Sequence, residues 1–571
     1  MPPQFSRTIW IPKKSNPKAL RSRTNVIQVA LNGTPSQEVL AQLEQAKKEN
    51  KEKASYTLDQ LISRSSRFVA KFPCANVKVE SIMHKLGVPG EVLEKHMLSV
   101  YPIIHHMCLN LLVDFLQYKK LHGSSIEKSL YASMDILAFV DRLLKRRPMS
   151  FLGANDRYLL PPPHRKRGSG GFEAVGTTRE KHPLSLVNYL SYDEMKVSAL
   201  LSMSSWSCFI NNGRRKNYGA LDARGTFEEE GVIVGQVGAR LKRERVMEYA
   251  DCVVTSSQNR PELGYGNTKS PHINYVWGKF WGGPLPTYRD ANAVLQMQPH
   301  EHQSSPFEYA AFGGNSIFNI TVYKKRIAIT AEILLCEANS RAQACGKKAY
   351  VHVVGLGLGV WRAFEEQDEL FIEAWGDALR NLNRLTHIAY VDFSYIGCSS
   401  MYGTLHNEKF PGSDVVIRFS KRNLHDKVPH GCILVCNYAW DGNSLPGNEF
   451  WMDKLCSTGD SAAACSSCIA ELHNHHINPA VSGQALRVAV KEGRVITWAE
   501  YAKRESFRKY RESSDSGNSK SSSSSKDQNE SSVTSISVKH HVSSKRSSVP
   551  EASAAAPPKK KIKIDRKSFS K

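Results

Sequence analysis

Between Pro183 and about Tyr501 the chain is built from short apolar runs separated by amphipathic stretches, and this alternation limits the fold more than any other feature. The runs are GVIVGQVGA (Gly231–Ala239), CVVT (Cys252–Thr255), AYVHVVG (Ala349–Gly355), IAYVDF (Ile388–Phe393), VVIRF (Val415–Phe419) and CILVCNYAW (Cys432–Trp440). Between them, Ile317–Cys345, Glu369–Leu382 and Ser461–Leu472 carry apolar residues at helical spacing. Strands that are apolar almost throughout have no face left for water. They belong to a largely parallel sheet covered on both sides by helices. Ligands of such sheets sit beyond the carboxyl ends of the strands, so the loops there are where function is expected.

The amino-terminal part reads differently. Residues 1–35 form a basic arm expected to be mobile, and 36–147 an all-helical unit in which Leu93, Met97, Val100 and Ile104, then Leu130, Met134, Leu137, Val140 and Leu144, recur at three and four. Residues 148–182, with Pro161–Pro163, His164–Arg167 and several glycines, read as a linker or exposed loop. Residues 183–505 are the α/β domain, and the Ser-rich stretch 506–571 is too polar to bury a core and is expected to be disordered.

The net charge of +23 would suggest a polyanionic partner if it were spread over the body. It is concentrated at the ends instead, with +6 in residues 1–53 and +10 in residues 501–571. The tail closes on PPKKKIKIDRK (Pro557–Lys567), where Lys559, Lys560, Lys561 and Lys563 match the pattern read by a nuclear import receptor. A nuclear location, with shuttling to the cytoplasm left open, is therefore expected. Nonspecific contact of the basic ends with nucleic acid is a further reading. The longest apolar stretch, His106–Leu116, falls well short of the roughly 18 residues that span a bilayer, so no membrane partner is expected. Twelve cysteines in 571 residues are too sparse for a disulfide scaffold and read as reduced thiols.

Three strand-end loops could carry chemistry. Gly355, Gly357 and Gly359 alternate after the run VHVV, leaving backbone amides free to approach an anion such as a diphosphate; a bent buried strand is the plainer explanation. WDGNSLPGNEFW (Trp440–Trp451) sets Asp441, Asn443, Asn448 and Glu449 between tryptophans, which suits a polar, ring-bearing ligand and could tune a carboxyl group as acid or base. Asp460 stands at the start of a small-residue helix, as a cap or as a group near a ribose hydroxyl. Asn212 and Asn315 could donate to a ligand, though each also fits a turn. Cys465 and Cys468 lack a second matching pair, so no metal site is expected. No cofactor is called for.

The succession FINNG (Phe209–Gly213), GVIVGQVGAR, MEYADCVVT (Met247–Thr255), FGGN (Phe312–Asn315), AYVHVVGLGLGVW (Ala349–Trp361), WDGN, PGNEFW and TGDSAAAC (Thr458–Cys465) resembles a family of eukaryotic proteins that also includes the bacterial effector MavL, a macrodomain-type ADP-ribosyl hydrolase. The resemblance covers residues 185–480. It implies a macrodomain-like three-layer α/β/α core that binds ADP-ribose and removes it from modified protein side chains. On that basis Gly355, Gly357 and Gly359 approach the diphosphate, Trp440, Asn443, Asn448, Asn212 and Asn315 line the ligand, and Asp441, Glu449 and Asp460 form the acidic set at the distal ribose. The triple glycine with paired glutamates of many glycohydrolase macrodomains is absent from this sequence. A reader module that binds ADP-ribose without cleaving it is the alternative on the same fold.

Overall fold

The computed structural model describes residues 28–48 apart from Asn32, then 56–153, 155–266, 271–297, 305–311 and 313–505. The basic residues 1–27, the tail from Ser506 and its lysine cluster lie outside the described residues.

Ten strands make the main sheet: β1 (Tyr101–His105), β2 (Leu201–Cys208), β3 (Glu230–Gln236), β4 (Lys348–Val354), β5 (Ile388–Ser394), β6 (Glu408–Lys409), β7 (Val416–Ser420), β8 (Cys432–Ala439), β9 (Arg487–Val490) and β10 (Arg494–Thr497). Their spatial order is β6-β7-β5-β4-β8-β3-β2-β1-β9-β10. The five strands β7, β5, β4, β8 and β3 run parallel. These contain five of the apolar runs. In β3 and β8 six consecutive residues are buried.

The flanks are antiparallel where β2 meets β3, β1 meets β2, β10 meets β9 and β6 meets β7, which makes the sheet mixed. The architecture is α/β, with a large central sheet between helices.

The 25-residue helix Ile320–Ala344 is buried along nearly its whole length, capped by Asn319, whose side chain accepts from the Val322 amide at 3.1 Å. With Gln367–Asn381 it covers one face of the sheet. The short helices Gly459–Ala464 and Ile469–Leu472 and the helix Gly90–Leu98 pack on β8 and β2. Among the described residues no helix is long and apolar enough to cross a membrane.

Four local readings change. The amino-terminal segment is not all-helical: the expected helical stripe through Leu93, Met97, Val100 and Ile104 is broken into the helices Gly90–Leu98 and Cys108–His122, with β1 between them. Pro102 explains the break, because its ring disfavours helical backbone at Tyr101 and removes an amide donor. β1 then fills the sheet between β2 and β9, with all five residues buried. Residues 148–182 carry a three-stranded antiparallel sheet (Ser150–Leu152, Arg157–Leu159, Arg167–Ser169) and the fully buried Phe172. Ile317–Asn319 is a strand, so the long helix begins only at Ile320. The end of the arm is fixed as well: the Val29 amide donates to Asp377 at 3.0 Å and its carbonyl accepts from Asn381.

Candidate active site

Because β5, β4, β8 and β3 are parallel and adjacent, the loops that follow them share one edge of the sheet. The loops after β3, β4 and β8 are in direct contact. A Cβ on Gly238 would stand 2.4 Å from the Gly357 amide nitrogen, and one on Gly442 would stand 2.5 Å from the Val237 side chain. Gly357 adopts φ of 81°, which favours glycine, and its own Cβ would meet the Ala239 carbonyl at 2.9 Å. Arg240, in the loop after β3, donates to the Asn443 side chain in the loop after β8 and pairs with Glu248 at 2.7 Å. Glu248 is held near 2 by Arg240 and Arg326, against the effect of its burial.

The acidic residues gather in the loop after β8. Asp460 is fully buried, and its two carboxylate oxygens accept the Gly447 and Asn448 amides, each at 2.9 Å. That grip turns residues 447–449 so that the Asn448 side chain donates to Asp441 at 2.6 Å. Glu449, also buried, accepts from the Thr458 hydroxyl at 2.8 Å. Thr458 in turn caps the helix Gly459–Ala464. Asp441 alone of the three is half-exposed.

Three carboxyl groups so close, in a place poor in water, resist ionisation. Burial, then the charge of Glu449, pushes Asp441 up to about 7, against the Asn448 hydrogen bond and Arg240. Glu449 is raised by burial. Asp460 is raised well above the carboxylate range, by burial first and then by Asp441.

Much of the frame comes from residues 147–151. Asn448 accepts from the Phe151 amide at 2.7 Å, its carbonyl accepts from the Ser150 hydroxyl, and the Leu445 amide donates to the Pro148 carbonyl. Arg147, wholly buried, lies 4.2 Å over the Trp440 ring and donates to the Leu143 and Gly442 carbonyls. Nothing in composition marked these residues. Arg240, by contrast, ends the GVIVGQVGAR motif.

The residues expected at the site are placed as follows. Gly355, Gly357 and Gly359 lie at the shared edge, in the loop that touches the loop after β3. Trp440 is buried, its indole N–H donating to Ser444, and Asn443 and Asn448 are buried with their side chains engaged by Arg240, Phe151 and Asp441. Asn315 is exposed at the turn between Tyr309–Ala311 and Ile317–Asn319, a hairpin that touches residues after the Gly-rich loop through Phe318 and Phe364, 4.8 Å apart. Asn212 is not brought to this edge. It follows β2, which runs against β3, and so lies at the start of β3, where it accepts from Arg214. From the same loop Arg215 reaches the Ser457 carbonyl at 3.1 Å, and its charge is felt by Glu449. Among the described residues no group of three His, Cys, Asp or Glu is placed to hold a metal. Cys465 and Cys468 are buried in the core.

A half-buried aspartate whose carboxyl is pushed up to about 7, with a second acid beside it and a glycine-lined edge nearby, is chemistry of the kind that can open a glycosidic bond. A family described as ADP-ribosylhydrolase MavL-like matches residues 59–504. Two fruit-fly (Drosophila melanogaster) proteins, ADP-ribosylarginine hydrolase CG2909 and ADP-ribosylarginine hydrolase CG3568, are each 40% identical, over 471 and 470 residues, covering 78% and 79% of this chain and 89% of either relative. The chain belongs to the MavL-like ADP-ribosylhydrolase family. Its activity is the removal of ADP-ribose from modified protein side chains.

Proposed function

We propose that the chain hydrolyses the bond between ADP-ribose and the guanidine of a protein arginine, and that the edge above β3, β8 and β4 works as a macrodomain-like cleft for the nucleotide sugar. The arginine linkage is suggested by the activity for which the two fruit-fly relatives are named. The observation that carries the catalytic assignment is Asp441, the one half-exposed member of the acidic set, with its carboxyl pushed up to about 7.

Water attacks the anomeric carbon as the carbon–nitrogen bond breaks through an oxocarbenium-like transition state. Asp441 takes a proton from that water, and Glu449 stabilises the developing positive charge on the sugar. The carbon–nitrogen bonding pair leaves with the nitrogen as neutral guanidine, which takes the proton that Asp441 removed from water, so the products are ADP-ribose and unmodified arginine as guanidinium, with Asp441 ionised again. Asp460 touches no substrate; it positions the loop through the Gly447 and Asn448 amides. The amides of the Gly355–Gly359 turn face the diphosphate.

Incubation of the full chain with arginine-ADP-ribosylated protein tests this reading. Release of free ADP-ribose, lost in Asp441→Asn, is expected. Binding of ADP-ribose without release would favour a reader instead, and release only from acid-linked substrates would overturn the arginine assignment. A nuclear address at Lys559–Lys563 belongs to the same proposal. Deleting residues 557–571 from a fluorescent fusion is expected to abolish nuclear enrichment, and unchanged enrichment would reject it.

A further inference from the structure

Residues 211–221, which follow β2 and include the end of the FINNG motif, are tied to the helix Gly459–Ala464 at three points. The Asn211 side chain donates to the Cys465 carbonyl at 3.4 Å, the Asn217 side chain to the Ala462 carbonyl at 3.0 Å, and the Arg215 guanidinium to the Ser457 carbonyl at 3.1 Å. These acceptors lie within that helix and just beyond its two ends. The segment therefore leaves the start of β3 and runs back along the helix to the edge that holds the acids. Asn217 also donates to the Arg214 carbonyl at 2.8 Å and accepts the Gly219 amide at 2.9 Å, while Asn76 donates to the Gly219 carbonyl at 3.0 Å. A loop fastened this often holds a fixed shape.

Its tip is turned to solvent. Arg215 and Lys216 are exposed, and Tyr218 and Leu221 are large side chains left 54% and 42% exposed. The neighbouring charges are satisfied: Arg214 pairs with Asp222 at 2.6 Å and Arg224 with Glu229 at 2.5 Å. Among the described residues neither Arg215 nor Lys216 forms an ion pair. In the facing segment the exposed Asp453 and Lys454 offset each other, so the surface is left with two positive charges beside two apolar groups.

Position decides what meets this surface. Ser457, which Arg215 holds, precedes Thr458, whose hydroxyl donates to Glu449 at 2.8 Å, so the tip borders the acidic set. The arginine freed by the reaction stays within its protein, and the residues on either side of it must rest on whatever borders the acids. An exposed tyrosine and leucine with an arginine among them suit a protein–protein contact, and unpaired cations at its rim favour an acidic partner. We propose that residues 215–221 are the docking surface for the target protein, and that they select modified arginines flanked by acidic residues. This rests on the hydrolase reading above, and it adds a choice among targets to it.

Four substrates assayed with the full chain test the assignment: ADP-ribosyl-arginine as the free amino acid, and three arginine-ADP-ribosylated peptides alike except for glutamate, alanine or lysine on both sides of the modified residue. The wild-type kcat/KM is expected to fall from the glutamate to the lysine peptide by about tenfold, the worth of one or two surface ion pairs, and the spread should narrow as salt is added. Lys216→Glu cancels the charge of Arg215 and should remove the preference. Leu221→Ser should lower kcat/KM by a similar factor for all three peptides. Both side chains are exposed, so neither substitution should move the melting temperature or the kcat/KM for the free amino acid. Equal turnover of the three peptides by the wild type, or an equal loss on the free amino acid in either variant, would overturn the docking role and leave the hydrolase reading intact. Absence of release from all four substrates would instead remove the reading on which it rests.

Discussion

Arg147 and Gly442, 295 residues apart in the chain, are joined by a 2.5 Å hydrogen bond from the guanidinium to the carbonyl. Arg147 also holds the Leu143 carbonyl and the Trp440 ring, so a residue from the amino-terminal third fixes the base of the acidic loop. Among the described residues no carboxylate pairs with it directly, and burial, then Arg240, lowers it to about 9. Arg147→Met keeps much of the volume but removes the guanidinium donor from the buried Leu143 and Gly442 carbonyls, leaving Gly442 only the Ser198 hydroxyl at 3.3 Å. A loss of about 2–4 kcal/mol in the unfolding free energy, read by urea denaturation, is expected, together with reduced kcat.

Asp441→Asn should lower kcat/KM by about 10²–10⁴-fold, the usual worth of a positioned base, while the Kd for ADP-ribose stays within a few-fold of wild type. Equal losses in binding and turnover would show that Asp441 holds the sugar instead of activating water.

Asp460→Asn should behave differently. An amide group can accept one of the Gly447 and Asn448 amide hydrogens but opposes the other with its own donor. A stability loss of about 1–3 kcal/mol is expected, with turnover falling as the loop shifts. Urea denaturation separates the two aspartates: Asp441→Asn should not destabilise the fold at neutral pH, whereas Asp460→Asn should.

The pH dependence has opposite signs for activity and stability. A reaction that needs the Asp441 carboxylate gains rate as pH rises through about 7, so the kcat/KM profile should have an acid limb there, belonging to the coupled Asp441–Glu449–Asp460 set. Asp441 titrates higher folded than unfolded, near 4. Its protonated form therefore favours the fold. That contribution is complete below about pH 4 and disappears as pH climbs through about 7. The difference in urea midpoint between the wild type and Asp441→Asn should therefore shift against the wild type as pH rises from 5 to 8.

Gly238→Ala tests the contact between the loops after β3 and β4. The added methyl would stand 2.4 Å from the Gly357 nitrogen, so one loop must move. A rise in KM with little change in kcat, alongside some loss of stability, is expected.

The parallel core was readable because β3, β4 and β8 are unbroken runs of buried residues, and such runs have few other folds open to them. That the loops after β4 and β8 share an edge follows from the same runs. Direction is harder to read. Asn212 was offered as a ligand donor for its amide in the FINNG motif, but β2 runs against its neighbour and carries Asn212 to the start of β3. β1 was hidden by a chance helical spacing through Val100 and Ile104, although Pro102 was the signal against it. Residues 147–151 left no mark because a frame made of backbone carbonyls and amides has no side-chain signature.

β1 also sets a limit on how the enzyme can be dissected. It separates β2 from β9, so a fragment beginning after residue 147 would retain the acids yet lose both the guanidinium beneath them and the strand that joins β9 and β10 to the rest. Two bare strand borders would be left open to self-association, and the absence of turnover in such a truncation would report on folding before it reported on chemistry.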